Sequence, residues 1–312
     1  MLDTFLIMIQ TMAVLFILIA LGYILVKRKV LKENASETLS KICVDIFTSA
    51  LCFSTMIDCC TVESMKEDIN LLVAGIIILA VTVAAGFFVS RILTKNKDTA
   101  NVFLYSLVCS NYGYIGYPIV LALMGERALF DFMILSLPFT VFTYTVAPQI
   151  LRPGGKISFK GLFTSPPTLA LFAGIIIGLA GLSTKLPQFI VDFSSMAGSC
   201  MTPVGMIMIG CVIGKFEIKK LFDDVKTYIV SVCRLIVWPL VALAIYYLFG
   251  IRGDGAVMGV IFLCLPVGMN TVVFPEAYGG DSRSGARIVF LTNVAGIISI
   301  PLIVSVAKIL LG

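Results

Sequence analysis

Eight stretches of this chain run for about 20 residues or more without a single Asp, Glu, Lys or Arg: 4–26, 69–90, 99–125, 132–151, 161–184, 193–214, 255–275 and 288–307. As helices rising about 1.5 Å per residue, each is long enough to cross a hydrocarbon core about 30 Å thick. Two weaker runs, 38–57 with Lys41 and Asp45 and 228–249 with Arg234, bring the expected number of spans to ten. Hydrophobic residues make up 59% of the chain and charged residues 13%, against roughly 25% charged in a soluble domain. So few polar groups cannot cover a water-facing surface. A bundle in lipid, each helix bonding its own backbone, fits this composition. The expected fold class is an all-α polytopic membrane protein.

The net charge of +5 does not point to nucleic acid, because the basic residues sit in short clusters between apolar runs. Of the 23 Lys and Arg, 17 fall on one side of the expected bundle and five on the other, with Arg234 inside a run. The positive-inside rule then puts both termini outside the cytoplasm. The first apolar run lacks a basic leader and a small-residue cleavage site, and reads as a span rather than a signal peptide. Seven of the nine cysteines fall within expected spans, and Cys59 and Cys60 are adjacent at a span end. All nine read as free thiols. With no histidine in the chain, the commonest metal ligand and general base are missing, and no cofactor or metal is expected.

The loop 152–160 (RPGGKISFK) leaves five spans on each side. An odd number per half makes the second half enter from the opposite face, so residues 1–155 and 156–312 read as two inverted five-helix repeats. The fourth span of the first half contains NYGYIGYP, Asn111–Pro118, and that of the second LPVGMNTVVFPEAY, Leu265–Tyr278. Each carries proline, glycine and asparagine. Proline removes a backbone donor and clashes with the preceding turn, and glycine lowers the cost of leaving helical geometry. Matched interruptions in corresponding spans point to a binding site near the bilayer midplane. The residues expected there are Asn111, Gly116, Tyr117, Pro118, Asn270 and Thr271.

SNYGYIGYPIVLALMG (Ser110–Gly125) and LPVGMNTVVFPEAYGGD (Leu265–Asp281) resemble the two crossover helices of the auxin efflux carrier family. That family includes the plant PIN-formed exporters and bacterial proteins called malate or malonate permeases. Asn270 and Thr271 stand where the plant proteins commonly carry a valine–proline pair. Lacking a long central loop, the chain looks like the short bacterial members. The resemblance implies a fold of the sodium/proton-antiporter and bile-acid-symporter type. Spans 1, 2, 6 and 7 would form a scaffold, often dimeric, and spans 3–5 and 8–10 a moving transport domain. It further implies a carrier of a small organic anion, a dicarboxylate or an auxin-like acid, working in the cytoplasmic membrane by an elevator motion. The alternatives are an ion-coupled symporter of another solute and a receptor that does not translocate. An intramembrane enzyme is disfavoured: His-ligated zinc is excluded, and no GxSxG or paired-aspartate arrangement is evident.

Two charges within spans stay open. Asp45 reads as the i,i+4 partner of Lys41 or as a cation or proton site. Arg234 has no acidic neighbour at helical spacing; it reads as snorkelling to the cytoplasmic face or as countering a substrate carboxylate. Glu276, Asp131 and Asp192 read as solvated span ends.

Overall fold

The computed structural model describes residues 2–32, 34–62, 68–153, 166–215 and 222–312. Among the described residues all regular structure is helical, with one isolated β-bridge and no strand. Helix α1 is Leu2–Lys27, α2 covers 35–59, α3 is Ile69–Leu93 and α4 is Lys97–Val108. After a short unwound stretch, α5 covers 112–124. Gly125, at φ 87°, then turns the chain into α6, Arg127–Ile150; glycine enters that left-handed region without a Cβ penalty. Then come α7 (Pro166–Leu179), α8 (Gln188–Gly214) and α9 (Val225–Leu248). Helix α10 (Asp254–Cys264), a second unwound stretch, α11 (Asn270–Tyr278) and α12 (Ser282–Leu311) complete the chain. The basic loop 152–160 and the start of the 161–184 run lie largely outside the described residues.

Six helices, α2, α3, α6, α8, α9 and α12, are long and apolar enough to cross a membrane, and α7 and α10 are shorter apolar helices. The chain is a multi-pass helical membrane protein. Its outward faces fit that setting: on α3, Phe88 is 67% and Ile92 82% exposed, which is costly in water and neutral against lipid.

Two packed groups emerge. Helix α1 lies along the second half of α8, and α2 packs on α7 and α8. The α1–α8 contact is backbone to backbone: a Cβ on Gly22 would stand 2.0 Å from the Ile207 carbonyl, and one on Gly210 2.0 Å from that of Ile19. Such small-residue contacts hold helices together where lipid removes the hydrophobic drive. The other group joins α3 to α4 and α6, and α9, α10 and α11 to α12. Its centre is continuously buried, over residues 100–112 and 256–275.

Candidate functional site

Helix α4 stops at Val108 and α10 at Cys264, each at the edge of a proline- and glycine-bearing segment. The two unwound stretches meet and run antiparallel. Asn111 N–H donates to the Pro266 carbonyl at 2.8 Å, Gly268 N–H to the Cys109 carbonyl at 3.3 Å, and Ser110 faces Val267 as a β-bridge. Unwound backbone in a dry interior must find partners within the protein, and here each break supplies the other. Side chains complete the pairing. The Thr292 hydroxyl of α12 accepts from Val267 N–H at 3.3 Å, and the Thr271 hydroxyl donates to the Gly268 carbonyl at 2.7 Å. Helix α5 restarts as a π-turn, with the N–H groups of Ile115 and Gly116 both on the Asn111 carbonyl. Pro118 follows inside α5 just after the π-turn, where its missing N–H leaves a carbonyl of that turn without a helical partner.

A cavity of about 120 Å³ opens on this crossing. Ser110, Asn111 and Tyr112 of the first break line it, as do Gly268, Met269 and Asn270 of the second. Thr55 of α2, Tyr105 of α4, and Thr140 and Tyr144 of α6 close its sides. Ser110, Asn111 and Asn270 are all buried. Yet the Ser110 hydroxyl, the Asn111 amide nitrogen and the Asn270 amide oxygen have no hydrogen-bond partner. A buried polar atom without a partner costs free energy, and three of them border this one cavity. The starts of α5 and α11 also border it, and helix N-termini carry partial positive charge. Among the described residues that line it, none is charged.

Of the six expected site residues, Asn111, Tyr117 and Asn270 line the cavity. Gly116 and Thr271 stand behind its wall. A Cβ on Gly116 would come 2.7 Å from Leu265 of the other break, so this glycine permits the two segments to cross closely. Thr271 is wholly buried. Pro118 shapes the start of α5. Sequence reasoning missed the α2 and α6 contributions, Thr55, Thr140 and Tyr144, because nothing local distinguishes them from packing residues. The tyrosine at 112 was legible within the NYGYIGYP motif; its hydroxyl meets Thr140 at 2.9 Å and its ring stacks on Phe262 at 5.4 Å.

The charges depart from expectation. Lys41 pairs with Glu37 at 2.9 Å rather than with Asp45, which is exposed. The Glu37 pair lies one turn nearer the helix start, where both side chains reach water. Arg234 neither snorkels nor faces the cavity. It is wholly buried, and its guanidinium donates to four main-chain carbonyls: Leu265 at 3.2 Å, Leu107 at 3.2 Å, Val108 at 3.4 Å and Phe262 at 3.1 Å. Glu276 is not solvated. Its carboxylate accepts from Ser36 of α2 at 2.6 Å and from Lys215 at the end of α8 at 2.5 Å. Burial pushes the Glu276 carboxyl up, but hydrogen bonds from Lys215, Ser282 and Ser36 outweigh it and hold it below the usual carboxylate value. Asp131 is ion-paired with Arg127 at 3.0 Å. Asp192 is exposed and accepts from Gln188. Among the described residues whose side chains are placed, eight cysteines are free.

A family model described as "Membrane transport protein" matches residues 7–157 and 147–304, almost the whole chain. The chain belongs to this family, that of the auxin efflux carriers. An "Uncharacterized transporter" of Methanothermobacter thermautotrophicus is 24% identical over 94% of this chain and 96% of its own length. Another of Methanocaldococcus jannaschii is 24% identical over 93% and 95%. A Rhizobium meliloti protein named "Putative malonate transporter" is 22% identical over 91% of each chain. The auxin efflux carrier family and these relatives are membrane transporters, not enzymes.

Proposed function

We propose that this chain is a secondary carrier of a small organic anion, a carboxylate, across the cytoplasmic membrane. The observation that carries the reading is the cavity at the crossing, where Ser110, Asn111 and Asn270 hold unpartnered polar atoms beside two helix starts. A carboxylate in the membrane interior is costly unless fixed donors replace its water. The Ser110 hydroxyl, the Asn111 amide nitrogen and the two helix N-termini supply such donors without a permanent charge, while the Asn270 amide oxygen, an acceptor, suits a hydroxyl or a protonated carboxyl of the same ligand. A neutral cradle also lets the empty carrier return without an uncompensated charge. The cavity volume lies well below the roughly 300–1,000 Å³ of sites for drug-sized ligands, which suits a compact acid. The name of the Rhizobium meliloti relative speaks for malonate as the first compound to try.

The architecture of this reading is ten spans in two inverted halves, 1–155 and 156–312, with both termini outside. Helices α1, α2, α7 and α8 form the scaffold, through which a homodimer assembles. The helices around the crossing move against it as an elevator. The close packing of α1 on α8 and of α2 on α7 and α8 supports the scaffold part of this partition, and α11 and α12 meet that scaffold across the boundary. The resemblance noted above supports the motion and the dimer.

Uptake of labelled malonate, malate and indole-acetic acid into proteoliposomes tests the function. Saturable uptake of at least one carboxylate is expected; binding without accumulation would make the protein a receptor instead. For orientation, Ser158→Cys and Thr184→Cys are placed singly in a cysteine-depleted background. Only the second should react with an impermeant thiol reagent on intact cells, and labelling at 158 would reverse the topology.

A further inference from the structure

The resting place of Arg234 has a chemistry of its own. Four backbone carbonyls converge on it from two chain segments that are otherwise far apart in sequence. Leu107 and Val108 end α4, and Phe262 and Leu265 lie at the end of α10. The last carbonyls of any helix lack intrahelical partners, and each C-terminus carries about half a negative charge. Two such ends sum to about one negative charge, which one guanidinium balances. Arg234 forms no ion pair among the described residues, so its counter-charge is the backbone itself. Its planar fork of five donors spans both helix ends as a single ammonium could not. The π-turn Cys233–Val237 of α9 holds Arg234 beside Trp238, whose indole N–H donates to the same Leu107 carbonyl at 2.9 Å.

In carriers built on broken helices, unwound carbonyls and half-helix C-termini are where a coupling Na⁺ binds. We infer that Arg234 is a resident cation: its guanidinium permanently occupies the carbonyl cluster at the crossing, so no inorganic cation is needed there to charge-balance the two broken helices. It acts as a positioning residue, fixing the two breaks against each other while their opposite ends, the starts of α5 and α11, border the cavity. The inference concerns the carbonyl cluster and holds whatever the cavity binds.

The test uses purified full-length protein and needs no substrate. Thermal unfolding is followed in Na⁺ and in N-methylglucamine at equal ionic strength, with Na⁺ and methylguanidinium as the probes. The wild type should give the same midpoint in both buffers and show no saturable response to either probe. Arg234→Ala should unfold at a lower midpoint that rises saturably with methylguanidinium and with Na⁺. Arg234→Lys, keeping the charge but not the fork, should fall between the two and respond only weakly to Na⁺. Saturable stabilisation of the wild type by Na⁺ would overturn the inference, whether or not either variant can be purified. So would an Arg234→Ala protein that is as stable as the wild type and indifferent to both probes. Failure of every carboxylate to be taken up would count against the proposed function and leave these results standing.

Discussion

The two broken segments have the same task but are built differently. The first restarts through a π-turn and a 112–124 helix, and is held on its far side by side chains of α6: Tyr112 to Thr140, and Cys109 to Thr143 at 3.4 Å. The second restarts as the nine-residue α11 and is held by close backbone approach to α12. A Cβ on Gly285 would stand 2.1 Å from the Thr271 carbonyl. Helix α11 then ends at Gly279, in left-handed geometry at φ 81°, with Gly280 N–H on the Pro275 carbonyl at 2.7 Å. Both breaks present an asparagine to the cavity, but the first is held in place by side chains of α6 and the second by main-chain approach to α12. Substitutions in the two should fail in different ways.

The largest expected effect is on the frame. In Gly285→Val, branched carbons would replace hydrogen where Thr271 already touches the helix. Loss of monodisperse folded protein is expected, read by size-exclusion chromatography. If Gly285→Val purifies like the wild type, the second segment is not pinned as described. Next come Asn111→Ala and Asn270→Ala, which remove one amide from each break. A hydrogen bond to a charged group contributes roughly 1.5–3 kcal/mol, or about 10- to 150-fold in affinity. Both variants should fold and bind a confirmed substrate more weakly by that factor. Wild-type affinity in both would move the site elsewhere; a loss in Asn111→Ala alone would assign ligand contact to the first break only. The smallest effect is expected for Tyr112→Phe, which removes the bond to Thr140 but keeps the ring on Phe262. A neutral hydrogen bond contributes about 1 kcal/mol, so a change in affinity of about fivefold is expected. A change beyond a hundredfold would mean that the hydroxyl contacts substrate directly.

The breaks themselves were legible in the sequence because proline and glycine act locally. Pro266 and Gly268 sit where the second crossing unwinds; in the first, the unwound residues are 109–111, and Gly113 and Gly116 follow them in the π-turn that restarts the helix. The long apolar helices were legible for a similar reason, since a run free of charge reports its solvent directly. What escaped was chemistry made by tertiary approach. Nothing near position 234 in sequence shows that four carbonyls wait there, because their donors to the count come from residues 107–108 and 262–265. Glu276 looked like a solvated helix end because Ser36 and Lys215 are, respectively, 240 and 61 residues away. Lys41 had two acidic neighbours at the right spacing, Glu37 and Asp45, and pattern alone does not choose between them.

The contact at Glu276 sets a condition on any motion. It fastens α11, part of the crossing, to both α2 and α8 of the other group. The stroke proposed above, which slides one group past the other, would have to break these two bonds. The sign of the Glu276 shift says what can release it. A carboxyl held below its ordinary value keeps its charge until the pH falls through that lowered value. Near neutrality the bonds from Ser36 and Lys215 to Glu276 therefore persist, and acid is the condition that weakens them.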